Sequence, residues 1–246
     1  MARAVYHFLP VPINSDDPAT ANQVAELVAA GRHAEAAALA ETAGQPRQAA
    51  EIYERIWDFA RAGAAAELAG DLPRALENAV RARDEPRIQA LIAALDGDRD
   101  DGVRRSAREA LVRQRRFADA APLAERAGEL AAAIDYYQRA GRDLDAARLL
   151  EDTGRDLDAG RLLERLIDLG AGADAAEAHL RLGRILARRM SWEPAARHLQ
   201  EAVEHDATRA LARRLLITVL AALGLRDAAR DVLAAARHDD DTLPAD

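Results

Sequence analysis

A glycine returns at thirteen-residue steps along much of this chain, and that interval leaves room for little except short helices joined by tight turns. Gly31, Gly44, Gly70, Gly128, Gly141 and Gly154 are each followed, five and six residues on, by a pair of small or apolar residues. The pairs are Ala36 and Ala37, Ala49 and Ala50, Ala75 and Leu76, Ala133 and Ile134, Ala146 and Ala147, and Ala159 and Gly160. The steps 31 to 44, 128 to 141 and 141 to 154 are thirteen residues each. Arg115 lies thirteen before Gly128 and precedes Ala120 and Ala121, so it fills the same slot without the glycine. Thirteen residues suit one helix of about ten residues plus a turn. Glycine tolerates the left-handed backbone that ends a helix. Pro46, Pro73 and Pro86 fall two or three residues past a turn, where the first helical N–H groups have no intrahelical partner to lose.

Helices this short are marginal alone and must bury an apolar stripe against their neighbours. The paired alanines allow close approach, and larger side chains fill what remains. Leu39, Ile52, Tyr53, Ile56, Trp57, Leu68, Leu76, Leu123, Ile134, Tyr137, Leu149 and Leu163 form the expected core. The expected fold is all-α, a right-handed solenoid of antiparallel helix pairs with roughly fifteen helices. Composition agrees: Ala and Leu dominate an apolar half, and aromatic residues make up 4%, which favours helix over strand.

The rhythm changes after Gly170. In residues 176–209, Leu182, Gly183, Leu186, Ala195, Leu199 and Ala202 take offsets that recur 34 residues later, as in 186 to 220, 195 to 229 and 202 to 236. Leu216, Leu220, Gly224, Ala229, Leu233 and Ala236 mark the second copy. This pattern resembles the tetratricopeptide repeat, closely in the C-terminal third and as a degenerate short-helix relation elsewhere. It departs from that repeat where His179 and Arg213 replace an aromatic, Ala207 a proline, and Ile217 a small residue. The resemblance implies a groove lined by the first helix of each pair, which receives peptides or partner domains. Carried over, the lining residues are Glu177, Leu180, Arg184 and Arg188 from one copy and Leu211, Arg214 and Thr218 from the other. The competing reading makes the arginines a solvated helix face. The lysines with which some relatives clamp a terminal carboxylate are absent.

Absences narrow the chemistry. The chain has no Cys and no Lys, and all 34 basic residues are Arg. Disulfides, thiolate metal sites, cysteine nucleophiles, the P-loop lysine and the Schiff-base lysine are therefore excluded. A GC-rich coding sequence accounts for an all-Arg set. The net charge of −8 opposes a nucleic-acid backbone. No apolar run is long enough to span a bilayer, and Pro10 and Pro12 interrupt the short apolar stretch Ala4–Ile13. A cytoplasmic protein that binds neither nucleic acid nor membrane is expected.

The remaining motifs have plain explanations. Gly170, Gly172 and Ala175 imitate a dinucleotide fingerprint, but a helical pattern rather than a strand precedes them, so a helix-to-helix turn with Asp174 as N-cap is expected. Asp96 to Gly102 imitates a calcium loop without its glycine or closing glutamate in register, and reads as an acidic surface loop. His198 and His205 share a helix face with no carboxylate to complete a metal set. His238 with Asp239, Asp240 and Asp241 reads as a frayed tail, and none of Ser15, Ser106 or Ser191 sits in a nucleophile context.

The expected organisation is an extended segment at 1–17, short repeats at 18–95, an acidic loop at 96–102, further short repeats at 103–172, two tetratricopeptide-type repeats at 173–237 and an acidic tail at 238–246. The expected function is a non-enzymatic adaptor without cofactor or metal, holding a peptide or protein domain. A regulatory or sensor module of a bacterial multidomain signalling system is the alternative. Leu220, Leu223, Leu225, Val232 and Leu233 would favour self-association through the last helices.

Overall fold

The computed structural model describes residues 18–97, 100–170 and 172–241, with the side chains of all these except Asp96 and residues 237–241. The segment 1–17 and most of the acidic tail lie outside the described residues. Every regular element among them is a helix, as the composition predicts. The chain divides into two compact units, residues 1–128 and 129–246.

The first unit holds α1 (Pro18–Ala29), α2 (His33–Thr42), α3 (Pro46–Arg55), α4 (Phe59–Leu68), α5 (Leu72–Ala82), α6 (Glu85–Gly97), α7 (Asp101–Arg113) and α8 (Phe117–Arg126). The second holds α9 (Leu130–Arg139), α10 (Asp143–Asp152), α11 (Asp156–Leu169), α12 (Ala173–Arg188), α13 (Trp192–Val203), α14 (Asp206–Ala222) and α15 (Arg226–Asp241). Within each unit a helix packs on its successor, so both are stretches of α-solenoid. The first unit departs from simple succession at α7, which packs chiefly on α5. The Asp-rich stretch therefore lies inside the first unit. Its Asp100 caps α7 by accepting from the Gly102 N–H at 2.7 Å.

One backbone device makes the turns. At Gly44, the N–H of Gly44 donates to the Glu41 carbonyl at 3.1 Å and that of Gln45 to the Ala40 carbonyl at 2.9 Å. This Schellman arrangement satisfies carbonyls that the helix end would leave orphaned. It recurs at Gly31, Trp57, Gly70, Arg83, Arg115, Gly141, Gly154, Met190 and Gly224, all with positive φ. Trp57 and Arg83 stand thirteen residues after Gly44 and Gly70, so the beat runs 31, 44, 57, 70, 83 without a gap. Arg115 occupies its expected slot with φ 59°.

The residue after each turn varies along the chain. Asp58, Asp71 and Asp84 cap the next helix, accepting from the N–H of Arg61, Arg74 and Arg87 at 3.1–3.2 Å. Each such cap contributes about 1 kcal/mol. At α2, α8, α10 and α11 an arginine stands there instead and pairs with the carboxylate three residues on: Arg32 with Glu35, Arg116 with Asp119, Arg142 with Asp145 and Arg155 with Asp158. Asp174 is not a cap. Helix α12 begins one residue before it, with Gly172 in the capping position at φ 124°.

The alanine pairs are fully buried, including Ala36, Ala37, Ala49, Ala50, Ala146 and Ala147. Ile52, Tyr53, Leu76, Leu123, Ile134, Tyr137, Leu149 and Leu163 fill the space around them as expected. Leu39 and Ile56 are only partly buried. Two expected core residues are not in the core at all: Trp57 is 79% exposed and Leu68 is 72% exposed. Both sit at a helix end, beyond the stripe that faces the neighbouring helix.

Arginine–carboxylate braces join alternate helices. Glu54 of α3 receives Arg74 of α5 through Nε at 2.8 Å and Nη2 at 2.7 Å, with Asn78 Nδ2 adding a third bond at 2.6 Å. Arg87 of α6 reaches back to Glu67 of α4 at 2.6 Å. Arg116, just before α8, grips Glu85 of α6 at 2.7 and 2.8 Å. Hydrogen bonds from Arg116 and then Gln89 hold the Glu85 carboxyl at about 2, well below the usual carboxylate range. The flat guanidinium fork matches a carboxylate with two parallel bonds, which a lysine cannot do.

Candidate partner-binding face

The second unit carries the residues that the repeat resemblance singles out. Helices α10, α12 and α14 are neighbours in one layer, with α12 packed on α13 and α13 on α14. Gly183 makes the α12–α13 contact possible. A Cβ there would lie 2.7 Å from Leu199 Cγ. His179 of α12 meets His198 of α13 with the two Nδ1 atoms 3.0 Å apart. His198 and His205 do not share a helix: His198 lies in α13 and His205 stands just before α14. Burial lowers the pKa of both rings.

The structure divides the predicted face in two. Leu180 is 5% exposed, packed with Ala195, Leu199 and Leu216, so it supports the α12–α13–α14 core and cannot reach a partner. Arg184 and Arg188 turn toward α10. The Glu151 side chain, 4% exposed, accepts from Arg184 Nη2 at 2.7 Å and from Arg181 Nη1 at 3.4 Å. Arg188 Nη2 lies 3.6 Å from the same carboxylate and 3.0 Å from Asp156 at the start of α11. Glu177 pairs with Arg181 at 2.7 Å. These charges answer one another inside the unit and form a fourth brace between alternate helices, rather than a free basic surface.

Leu211, Arg214 and Thr218 behave differently. Spaced three and four residues apart, they form one stripe of α14. The opposite stripe, Ala212, Leu216, Val219 and Leu220, is buried. Leu211 is 44% exposed. Arg214 and Thr218 are also exposed, and the Thr218 hydroxyl donates to the Arg214 carbonyl at 3.2 Å. The Arg214 guanidinium has no carboxylate partner among the described residues. Beyond this stripe, Leu225 and Leu233 are 52% and 39% exposed, whereas Leu220 is buried and Leu223 and Val232 are partly so.

A further groove of about 550 Å³ opens over α9, α10 and α11, lined by Ile134, Gln138, Leu150, Arg155, Arg161 and Arg165 among others. Asp158 pairs with both Arg155 and Arg161 there. Among the described residues no group of three His, Asp or Glu is placed to hold a metal ion, and no helix is long and apolar enough to cross a membrane.

No family model matches the chain, and no curated protein matches it. Among solved structures, the chain is similar to BtubC (BKLC) from P. vanneervenii, in a crystal structure. The two share 18% identity over 94% of this chain and 95% of that one, with a TM-score of 0.37. A likeness of that size transfers neither fold nor function.

Proposed function

We propose that this chain is a non-enzymatic scaffold of tetratricopeptide type, which binds a peptide or protein domain through the outward stripe of α14. The observation that supports this reading is the juxtaposition of an exposed Leu211 with the unpaired Arg214 and the exposed Thr218. Arginine is among the side chains from which interface hot spots are drawn, and the exposed leucine adds apolar area beside it. The net charge of −8 favours a protein partner over nucleic acid. The cytoplasm is its proposed location.

The double variant Leu211→Asp/Arg214→Glu tests this reading, because neither side chain is braced inside the unit. Wild type is used to capture partners from cell extract, and the captured protein is then purified and titrated against both forms. Loss of affinity by roughly thirtyfold, with helical circular dichroism unchanged, is expected for removal of a central anchor. Equal affinity for the two forms would sink the reading.

A further inference from the structure

Trp57 breaks two rules at once. It takes the left-handed turn position at φ 63°, where Gly31, Gly44 and Gly70 on the same beat use glycine, and a bulky residue is strained there. Its indole, which core packing would normally claim, is 79% exposed. Arg83, Arg115 and Met190 take the same backbone position, so it is the exposed indole and its neighbours that set this turn apart.

The surroundings of the indole are aromatic and basic. The Trp57 and Phe59 rings meet edge to face with centroids 5.9 Å apart, and the Arg81 guanidinium lies 5.3 Å from the Phe59 centroid. Arg55, Gln114 and Glu54 complete a groove of about 530 Å³ within the first unit. Its charge is positive in a chain whose net charge is −8. Arg55 has no carboxylate partner among the described residues. Arg81 and Arg113 share the single carboxylate of Glu77, at 2.8 and 3.1 Å. Glu54 is already taken up by Arg74 and Asn78.

We propose that this groove is a second docking site, which takes an extended segment of a partner protein carrying an apolar or aromatic side chain flanked by carboxylates. The apolar side chain stacks on the Trp57 indole, and the carboxylates meet Arg55 and Arg81. The site extends the scaffold reading to the first unit and does not depend on α14.

Trp57→Gly is the decisive variant, because glycine is the residue that this turn uses elsewhere. Removing the indole therefore leaves the melting temperature unchanged or raised. The probe is a short fluorescent peptide with Leu-Phe between Asp pairs, read by anisotropy. A matched peptide with Arg for each Asp and an oligouridylate are read beside it. The acidic peptide is expected to bind wild type and the Leu211→Asp/Arg214→Glu variant alike, and to bind Trp57→Gly at least about tenfold more weakly. Arg55→Glu/Arg81→Glu is expected to lose it as well. No binding to wild type, equal binding to Trp57→Gly, or equal binding of the Arg peptide would each overturn the proposal. Preference for the oligouridylate with a steep loss in salt would overturn it in favour of nucleic acid. Failure at α14 alone leaves every one of these readouts intact.

Discussion

The short helices and the long helices of this chain solve the same packing problem with different side chains. Helices α2, α3 and α4, ten residues each, bury mainly alanine at their contacts: Ala36, Ala37, Ala40, Ala49, Ala50, Ala62, Ala65 and Ala66. Helices α12, α13 and α14 have 16, 12 and 17 residues and bury Leu180, Leu182, Ile185, Leu199 and Leu216 in addition to alanines such as Ala178, Ala195, Ala202 and Ala212. A ten-residue helix offers few contact positions, so small residues must bring its whole length close. A longer helix adds leucine to bury, at about 1.5–3 kcal/mol for each fully buried side chain. Its tightest approach is at Gly183.

The braces carry the contrast further. Glu54, in the short-helix region, is 25% exposed and held mainly by Arg74, whereas Glu151, beneath α12, is 4% exposed and faces three guanidinium groups. Removing Glu151 leaves three partly exposed guanidinium groups without their shared, buried acceptor. Glu151→Ala is therefore expected to destabilise the protein by about 3 kcal/mol, and Glu54→Ala by about half as much. Urea denaturation followed by circular dichroism checks this. A larger loss for Glu54→Ala would show that the short-helix region depends on its brace more than the long-helix region does.

Two mid-helix glycines sharpen the comparison. Gly63 in α4 and Gly183 in α12 both face the next helix, but a Cβ at Gly63 would meet nothing closer than 3.5 Å, whereas at Gly183 it would lie 2.7 and 2.9 Å from Leu199. Gly183→Ala is expected to cost about 1–3 kcal/mol through overpacking. Gly63→Ala should gain up to about 1 kcal/mol from helix propensity, since ordinary van der Waals contact is all it adds. The thermal midpoints of the two variants should move in opposite directions. Two losses of similar size would mean that alanine packing in the short helices leaves no more slack than leucine packing does.

Much of this was legible because a helix end written as glycine is visible in sequence. Arg115 could be placed in a turn by spacing alone, and the buried alanine pairs followed from the same beat. Trp57 and Arg83 were on that beat as well, but the Schellman bonds run between backbone groups, so any side chain that bears the strain can occupy the slot. Hydrophobicity then argued for burying Trp57, where position argued for exposing it, and position prevailed. The aspartates at 58, 71 and 84 carried the same period one residue later and would have confirmed those turns. Arg184 and Arg188 looked free because a sequence shows charges and not their partners. Glu151 lies 33 residues before Arg184, and only the stacking of α10 on α12 brings them together. Leu211, Arg214 and Thr218 were carried over from the repeat resemblance, and helical period places them on one stripe, here an exposed one.

The smallest expected effect lies at the α12–α13 contact, where the long-helix region uses a pair of histidines. His179 and His198 share one hydrogen bond between Nδ1 atoms, so one ring must donate and the other accept. A proton on the accepting Nδ1 would set two N–H groups against each other. Burial already lowers both pKa values from 6.5; Glu201 opposes the shift at each ring, His205 adds to it at His179, and Arg197 adds to it at His198. Above the unfolded value the rings are neutral in both states and contribute no pH dependence. As pH falls below about 6.5 the unfolded chain takes up protons that the folded pair resists, so stability falls until the folded values are passed. Solvent screening at this partly exposed pair keeps the loss below about 1 kcal/mol. Denaturation midpoints of wild type and of His179→Gln/His198→Gln, compared at about pH 7 and about pH 5, isolate it. The variant should lose less on acidification than wild type; an identical loss would place the acid sensitivity in the carboxylate braces instead.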